Sequence, residues 1–253
     1  MRPFGTYSST GWSRRYDAVS GSGRAAASAR SPWTETPMKP LSDPAVSAGK
    51  RVLLCIPIVH TPADMGALNE PIQRLKVKKL GKKIWERNLE LVNNFWTEIE
   101  RAAENLAVPY ERVRLYQDGL PVCGREAEIV ADLAKAGSRN HQLLLKLQQK
   151  GAVLMGTESA ELLVEEYQLV RQIFAEEMSK GSAPRAARGK TLQDSLLKRR
   201  DQFIGRRISE TLLAGETGML FIGMLHSVEP WLDQDIEAVR PVRPTLKSGV
   251  RPS

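Results

Sequence analysis

Cysteine and histidine are scarce in this sequence: two cysteines and three histidines in 253 residues. Two thiols, Cys55 and Cys123, cannot build a disulfide framework, and no Cys-x-x-Cys pair offers a metal knuckle, so a reducing compartment is expected. Long apolar runs are missing too. The most hydrophobic stretches, 52–59 and 219–225, are strand-length, far short of the about 20 residues that a membrane-spanning helix requires. No apolar core follows Arg2, which argues against a secretory signal and makes a cytoplasmic location the expectation. Gly81-Lys82 and Gly189-Lys190 lack the upstream glycine of a phosphate loop. A Gly-x-Ser-x-Gly elbow is also absent, so no serine nucleophile is indicated.

Acidic residues are in deficit only at the two ends. The formal net charge is +8, from 37 Lys+Arg against 29 Asp+Glu. Residues 1–50 carry seven basic and three acidic side chains, and residues 240–253 carry four basic and none acidic. The remaining body, 51–239, holds 26 of each and is electroneutral. Such an excess at first resembles a nucleic-acid signature, and a weaker reading is a nucleic-acid-associated protein working through its tails and the 76–87 helix. The excess lies in the tails, however, which argues against nucleic acid as the partner.

Residues 1–50 read as a disordered basic leader. The stretch 8–31 is dense in Ser, Gly, Ala and Arg with neither strand nor helix period, and Pro32, Pro37, Pro40 and Pro44 follow. An organellar transit peptide has a similar Arg- and Ser-rich start, and translation from Met38 would make the leader spurious; a disordered or spurious leader is preferred to targeting. Residues 241–253 read as a flexible basic tail.

Between the tails, strand-like and helix-like blocks alternate across one domain, 51–240. The continuous apolar run 52–59 predicts a strand covered on both faces. Helical spacing follows from Pro71 to about Leu106, with Gly81 as a point of interruption. A short strand at 112–116, helices at 124–136 and 138–150 around Gly137, and a buried strand at 152–155 come next. Ser159 is placed to cap a helix reaching about Lys180. Gly, Pro and Ser mark 181–189 as a loop before a helix at 191–213. A very apolar strand at 218–224, a short helix near 231–236 and a last strand near 237–242 close the domain. This alternation predicts an α/β fold with a mostly parallel central sheet, flanking helices and an active-site crevice at the strand ends.

Polar residues stand directly after the core strands: His60, Asp118, Glu158 and His226. In an open α/β sheet, ligands bind beyond the carboxyl ends of parallel strands. Two histidines with Glu158 make a ligand set for a divalent metal ion, whose bound water would serve as nucleophile. Glu158 would act as ligand or general base, Asp118 or Asp64 as a supporting carboxylate, and Asp64 or Glu70, in the loop after His60, as a further ligand or general base. Alone, a histidine or acid at a strand end is usually a cap or a surface hydrogen bonder. Two of the three histidines hold equivalent positions, which sets this group apart; His141, near a helix start, reads as structural.

The segment from Arg200-Asp201-Gln202-Phe203-Ile204 to Gly223-Met224-Leu225-His226 resembles the signature of the TraB/TIKI group. That signature has an Arg-Asn-like start, an amphipathic helix, a glycine turn, an apolar strand and a Gly-x-x-His ending. Gly156-Thr157-Glu158-Ser159 is similar to the group's Glu-Thr motif. Pro57-Ile58-Val59-His60 corresponds to its first Gly-x-x-His, with Pro57 in place of the glycine. The superfamily includes ChaN-like haem-binding proteins and erythromycin-esterase-like hydrolases. The resemblance is loose over 52–242 and close over about the last 45 residues. It implies a metal-dependent hydrolase of ester or amide bonds, acting on a small-molecule or peptide substrate through His60, Glu158 and His226. The alternative it implies is a non-catalytic protein binding haem or another small ligand in the same crevice.

Two basic runs have a plainer explanation than an anionic partner. Lys76, Lys78, Lys79, Lys82, Lys83 and Arg87 read as the solvated face of a long helix with Glu86 and Glu90. Lys198 to Arg200 with Arg206 and Arg207 reads as structural pairing with Asp201 and Glu210, though Arg200 or Arg207 is placed to reach an anionic substrate. Cys55 falls mid-strand and reads as packing. Cys123 has no activating partner in sequence.

Overall fold

The computed structural model describes residues 50–59, 73–74, 77–78, 81–178 and 183–241. His60, Asp64 and Glu70 lie outside these residues, as do Lys76, Lys79, the leader 1–49 and the tail 242–253. Among the described residues, five strands form one all-parallel sheet: β1 (Arg51–Ile58), β2 (Val113–Gln117), β3 (Val153–Met155), β4 (Thr217–Gly223) and β5 (Ile236–Val239). Their spatial order is β3-β2-β4-β1-β5. The helices are α1 (Lys82–Glu104), α2 (Glu126–Lys135), α3 (Arg139–Gln149), α4 (Ala160–Met178) and α5 (Ala183–Thr211).

Every residue of β1 is buried, because both sheet faces are covered. Val52, Leu54, Ile56 and Ile58 join one core with Val92, Phe95, Trp96 and Ile99 of α1 and with residues of α2 and α3. Leu53 and Cys55 join a second core with Ile204 and Ile208 of α5. The period of two along the strand thus splits the apolar run between two layers. Gly81 sits at the start of α1 with φ 81° and breaks the longer helix that the spacing predicts. Along α1, Trp85, Val92, Phe95, Trp96, Ile99 and Ala103 are buried while Lys82, Lys83 and Arg87 are exposed, so this part of the basic run is a solvated helix face.

Three sequence expectations are corrected. Residues 183–189, expected as loop, open α5. Alanine and arginine are good helix formers, and Pro184 falls in the first turn, where its missing N–H costs nothing. Gly189 lets the helix approach α4: a Cβ there would meet Ile173 at 3.4 Å. β3 is an edge strand with Val153 46% exposed, not a buried one. The short helix expected near 231–236 is a single 3-10 turn, Glu229–Trp231, which precedes β5.

Candidate functional site

The strand order creates the site. β2 and β4 are hydrogen-bonded neighbours, yet the chain leaves β2 toward β3 on one side and leaves β4 toward β5 on the other. In open α/β sheets such a switch point is where ligands bind, beyond the carboxyl ends of the strands; here Asp118, Glu158 and His226 are all buried. Asp118 follows β2 and His226 lies three residues beyond β4. The Asp118 backbone N–H donates to the Phe221 carbonyl at 2.9 Å. The Gly223 backbone N–H in turn donates to Asp118 Oδ2 at 3.0 Å.

Glu158 is brought in by the loop after β3. Pro121 forms an isolated parallel bridge with Glu158, and the Val122 N–H donates to the Glu158 carbonyl at 2.8 Å. Thr157 Oγ1 accepts the Gln117 N–H at 2.9 Å, joining the ends of β2 and β3. Ser159 Oγ accepts the Leu162 N–H at 3.3 Å, so the expected cap is present. Gly156 permits this crossing of loops: a Cβ there would stand 2.8 Å from Val122 Cα.

A guanidinium occupies the focus of these acids. Arg200 Nε donates to Glu158 Oε2 and Nη2 to Glu158 Oε1, both at 2.6 Å. Nη2 also reaches Asp118 Oδ1 at 2.8 Å, and Nη1 reaches Glu166 Oε1 of α4 at 2.7 Å. The Gly119 N–H adds a donor to Glu158 Oε1 at 2.7 Å. Burial works against the Arg200 charge, but Glu158, Glu166 and Asp118 outweigh it and hold the group well above its ordinary value. The pairing with Asp201 and Glu210 expected for this basic run does not form at Arg200, whose acids come from other elements. Arg207 instead donates to the Gly156 carbonyl at 3.1 Å.

The next residue on α5 serves His226. Asp201 Oδ1 lies 2.5 Å from His226 Nδ1, and Asp201 Oδ2 accepts the Ser227 N–H at 3.0 Å. His226 Nε2 lies 3.4 Å from Asp118 Oδ2, within ion-pair range but without a properly angled hydrogen bond. Burial lowers the basicity of this imidazole; the charge of Asp118 and the hydrogen bond to Asp201 reverse that, raising its pKa to about 9. His226 is therefore an imidazolium at neutral pH in this arrangement.

The structure thus brings together Asp118, Glu158 and His226 of the residues singled out in sequence, and His60 and Asp64 lie outside the described residues. Trp96 Nε1 donates to the Val59 carbonyl at 2.7 Å, fixing the end of β1 one residue before His60. Asp201 and Glu166 are the residues that sequence reasoning missed as site members, and Arg200, read there as structural pairing or as reaching an anionic substrate, was not placed at the centre. A signal existed for Arg200: Leu196, Arg200, Ile204, Ile208 and Leu212 recur every fourth residue and all are buried, so an arginine stands inside an apolar stripe. His141 is structural as expected, its Nδ1 2.6 Å from the capping Ser138 Oγ. Cys55 is buried, and its thiol is pushed up to about 12 chiefly by burial, while Cys123 is exposed.

The metal set His60, His226 and Glu158 fits these residues only in part. His226 has the placement of a ligand, one ring nitrogen held by a carboxylate and the other without a hydrogen bond, but would have to give up its proton to bind a metal. Glu158 does not, because both its oxygens already accept from a charged guanidinium. Among the described residues, no group of three or more His, Cys, Asp or Glu is arranged to hold a metal ion. The fold and this centre define an all-parallel α/β protein with a buried ion-pair network at the strand-end switch point. No family model, curated protein or solved structure matches the chain.

Proposed function

We propose that this chain is a hydrolase of ester or amide bonds, of the TraB/ChaN-like type, acting on a small-molecule or peptide substrate at the edge between β2 and β4. One observation carries the reading: the buried line Asp201–His226–Asp118, in which one carboxylate orients the imidazole through Nδ1 and Nε2 faces a second at 3.4 Å. An oriented imidazole is the usual agent of proton transfer in acyl transfer. In this scheme water attacks the carbonyl carbon and gives its proton to Asp118. The C–O or C–N bond then breaks as His226 protonates the leaving group from Nε2. Glu158, expected as ligand or general base, stays in the Arg200 fork and takes no proton. No step is assigned to a metal, since Glu158 does not suit one.

Turnover on panels of nitrophenyl esters and short peptides tests the reading. His226→Asn and Asp201→Asn should each lose about a hundredfold or more in kcat/KM while remaining folded. Equal hydrolysis by wild type and His226→Asn, or none by wild type on any panel, would overturn it. The alternative is a non-catalytic protein holding haem or another small ligand, and the internal pairing of nearly every charge in the centre favours it. It predicts a haem absorbance band on titration and no turnover.

A further inference from the structure

We propose that Arg200 stands where a divalent cation would otherwise sit, so that the chain's own guanidinium organises the strand-end carboxylates and Glu158 is not a metal ligand. The guanidinium plays this part in assembling the centre whether or not the chain hydrolyses any bond. Carboxylates converging from separate elements are the usual oxygen set of a divalent ion. Here Asp118 comes from the loop after β2, Glu158 from the loop after β3 and Glu166 from α4, and their focus is already filled.

The fit of the guanidinium is close. Its planar fork grips Glu158 through Nε and Nη2, leaving Nη1 for Glu166; a lysine ammonium could not reproduce that fork. Glu158 Oε1 receives a further N–H from Gly119. An ion within about 2.2 Å of those oxygens would lie against a guanidinium that cannot shed its charge, in a site with little water to screen it. The Arg200 and Glu158 side chains are each only 1% exposed.

Arg200 therefore acts as a positioning residue. Asp118 transmits its effect, with Oδ1 toward Arg200 and Oδ2 toward His226. The neighbouring Asp201 holds the other side of the imidazole. One turn of α5 thus sets both the ion-pair hub and the orientation of the histidine.

Titration of the full-length chain with cobalt(II) tests this, read by visible d–d absorption and by metal content after desalting. Wild type and Glu158→Gln should take up cobalt equally. Arg200→Met, which uncovers the carboxylates, should gain about tenfold or more in cobalt affinity. Arg200→Lys, which keeps the charge, should resemble wild type. Stoichiometric cobalt in wild type that is lost in Glu158→Gln would overturn the proposal, as would a folded Arg200→Met with no gain. If circular dichroism shows that Arg200→Met does not fold, the comparison of wild type with Glu158→Gln decides alone.

Discussion

At the scale of single residues, the centre couples stability to proton binding through His226. Its pKa is raised to about 9 in the fold, against about 6.5 for an unperturbed histidine. A raised folded value means that the protonated form is the stabilised one. The contribution is complete below pH about 6.5 and is lost as pH climbs through about 9. The shift corresponds to stability on the order of 3 kcal/mol. Urea denaturation at pH 6 and pH 10 should show wild type losing more stability over that interval than His226→Gln. Identical pH profiles for the two would refute the coupling.

At the scale of elements, the position of α5 depends on close backbone approach. Gly205 lies on its buried face, and a Cβ there would stand 2.5 Å from Trp231 Cβ and 2.9 Å from the Trp231 carbonyl oxygen. Backbone cannot rotate aside as a side chain can. Gly205→Ala should therefore push the 3-10 turn Glu229–Trp231 away from α5 and cost about 1–3 kcal/mol in thermal or urea denaturation. Gly218→Ala provides a contrast. Its nearest neighbour is the Leu53 Cδ1 methyl at 2.6 Å, the end of a side chain that can change rotamer, and the smaller loss is expected there. Equal losses would show that the α5 approach is not backbone-limited.

At the scale of the whole molecule, net charge is segregated along the chain. The body 51–239 has equal numbers of acids and bases, and all of the +8 lies in the terminal segments. Full-length protein should be retained on heparin and elute with salt, because polyanion binding scales with the number of neutralising cations. A chain cut to 50–241 should flow through or elute at much lower salt. Retention of the two at the same salt would place a basic patch on the folded body.

How much was legible from the sequence differs between fold and site. The apolar run of β1 needs two-sided cover, and with the helical spacing of α1 it implied a parallel α/β sheet before any contact was known. Asp118, Glu158 and His226 were legible for the same reason, since each lies within three residues of a strand's carboxyl end and parallel strands end on one edge. The expected loop failed over 183–189 because Gly, Ser and Pro signal breaks locally, while a proline in a first turn does not break a helix. The roles within the site were not legible. Arg200 lies 42 residues from Glu158 and 82 from Asp118, and no local spacing relates them. Local periodicity and strand-end placement act over a few residues, so the sequence by itself determined the layers and the edge where chemistry could occur. Which cation neutralises the buried acids, and which carboxylate holds His226, depended on β4 inserting between β1 and β2 and on α5 crossing their ends. Only the tertiary structure decided those, because an ion pair is set by distance in space and burial.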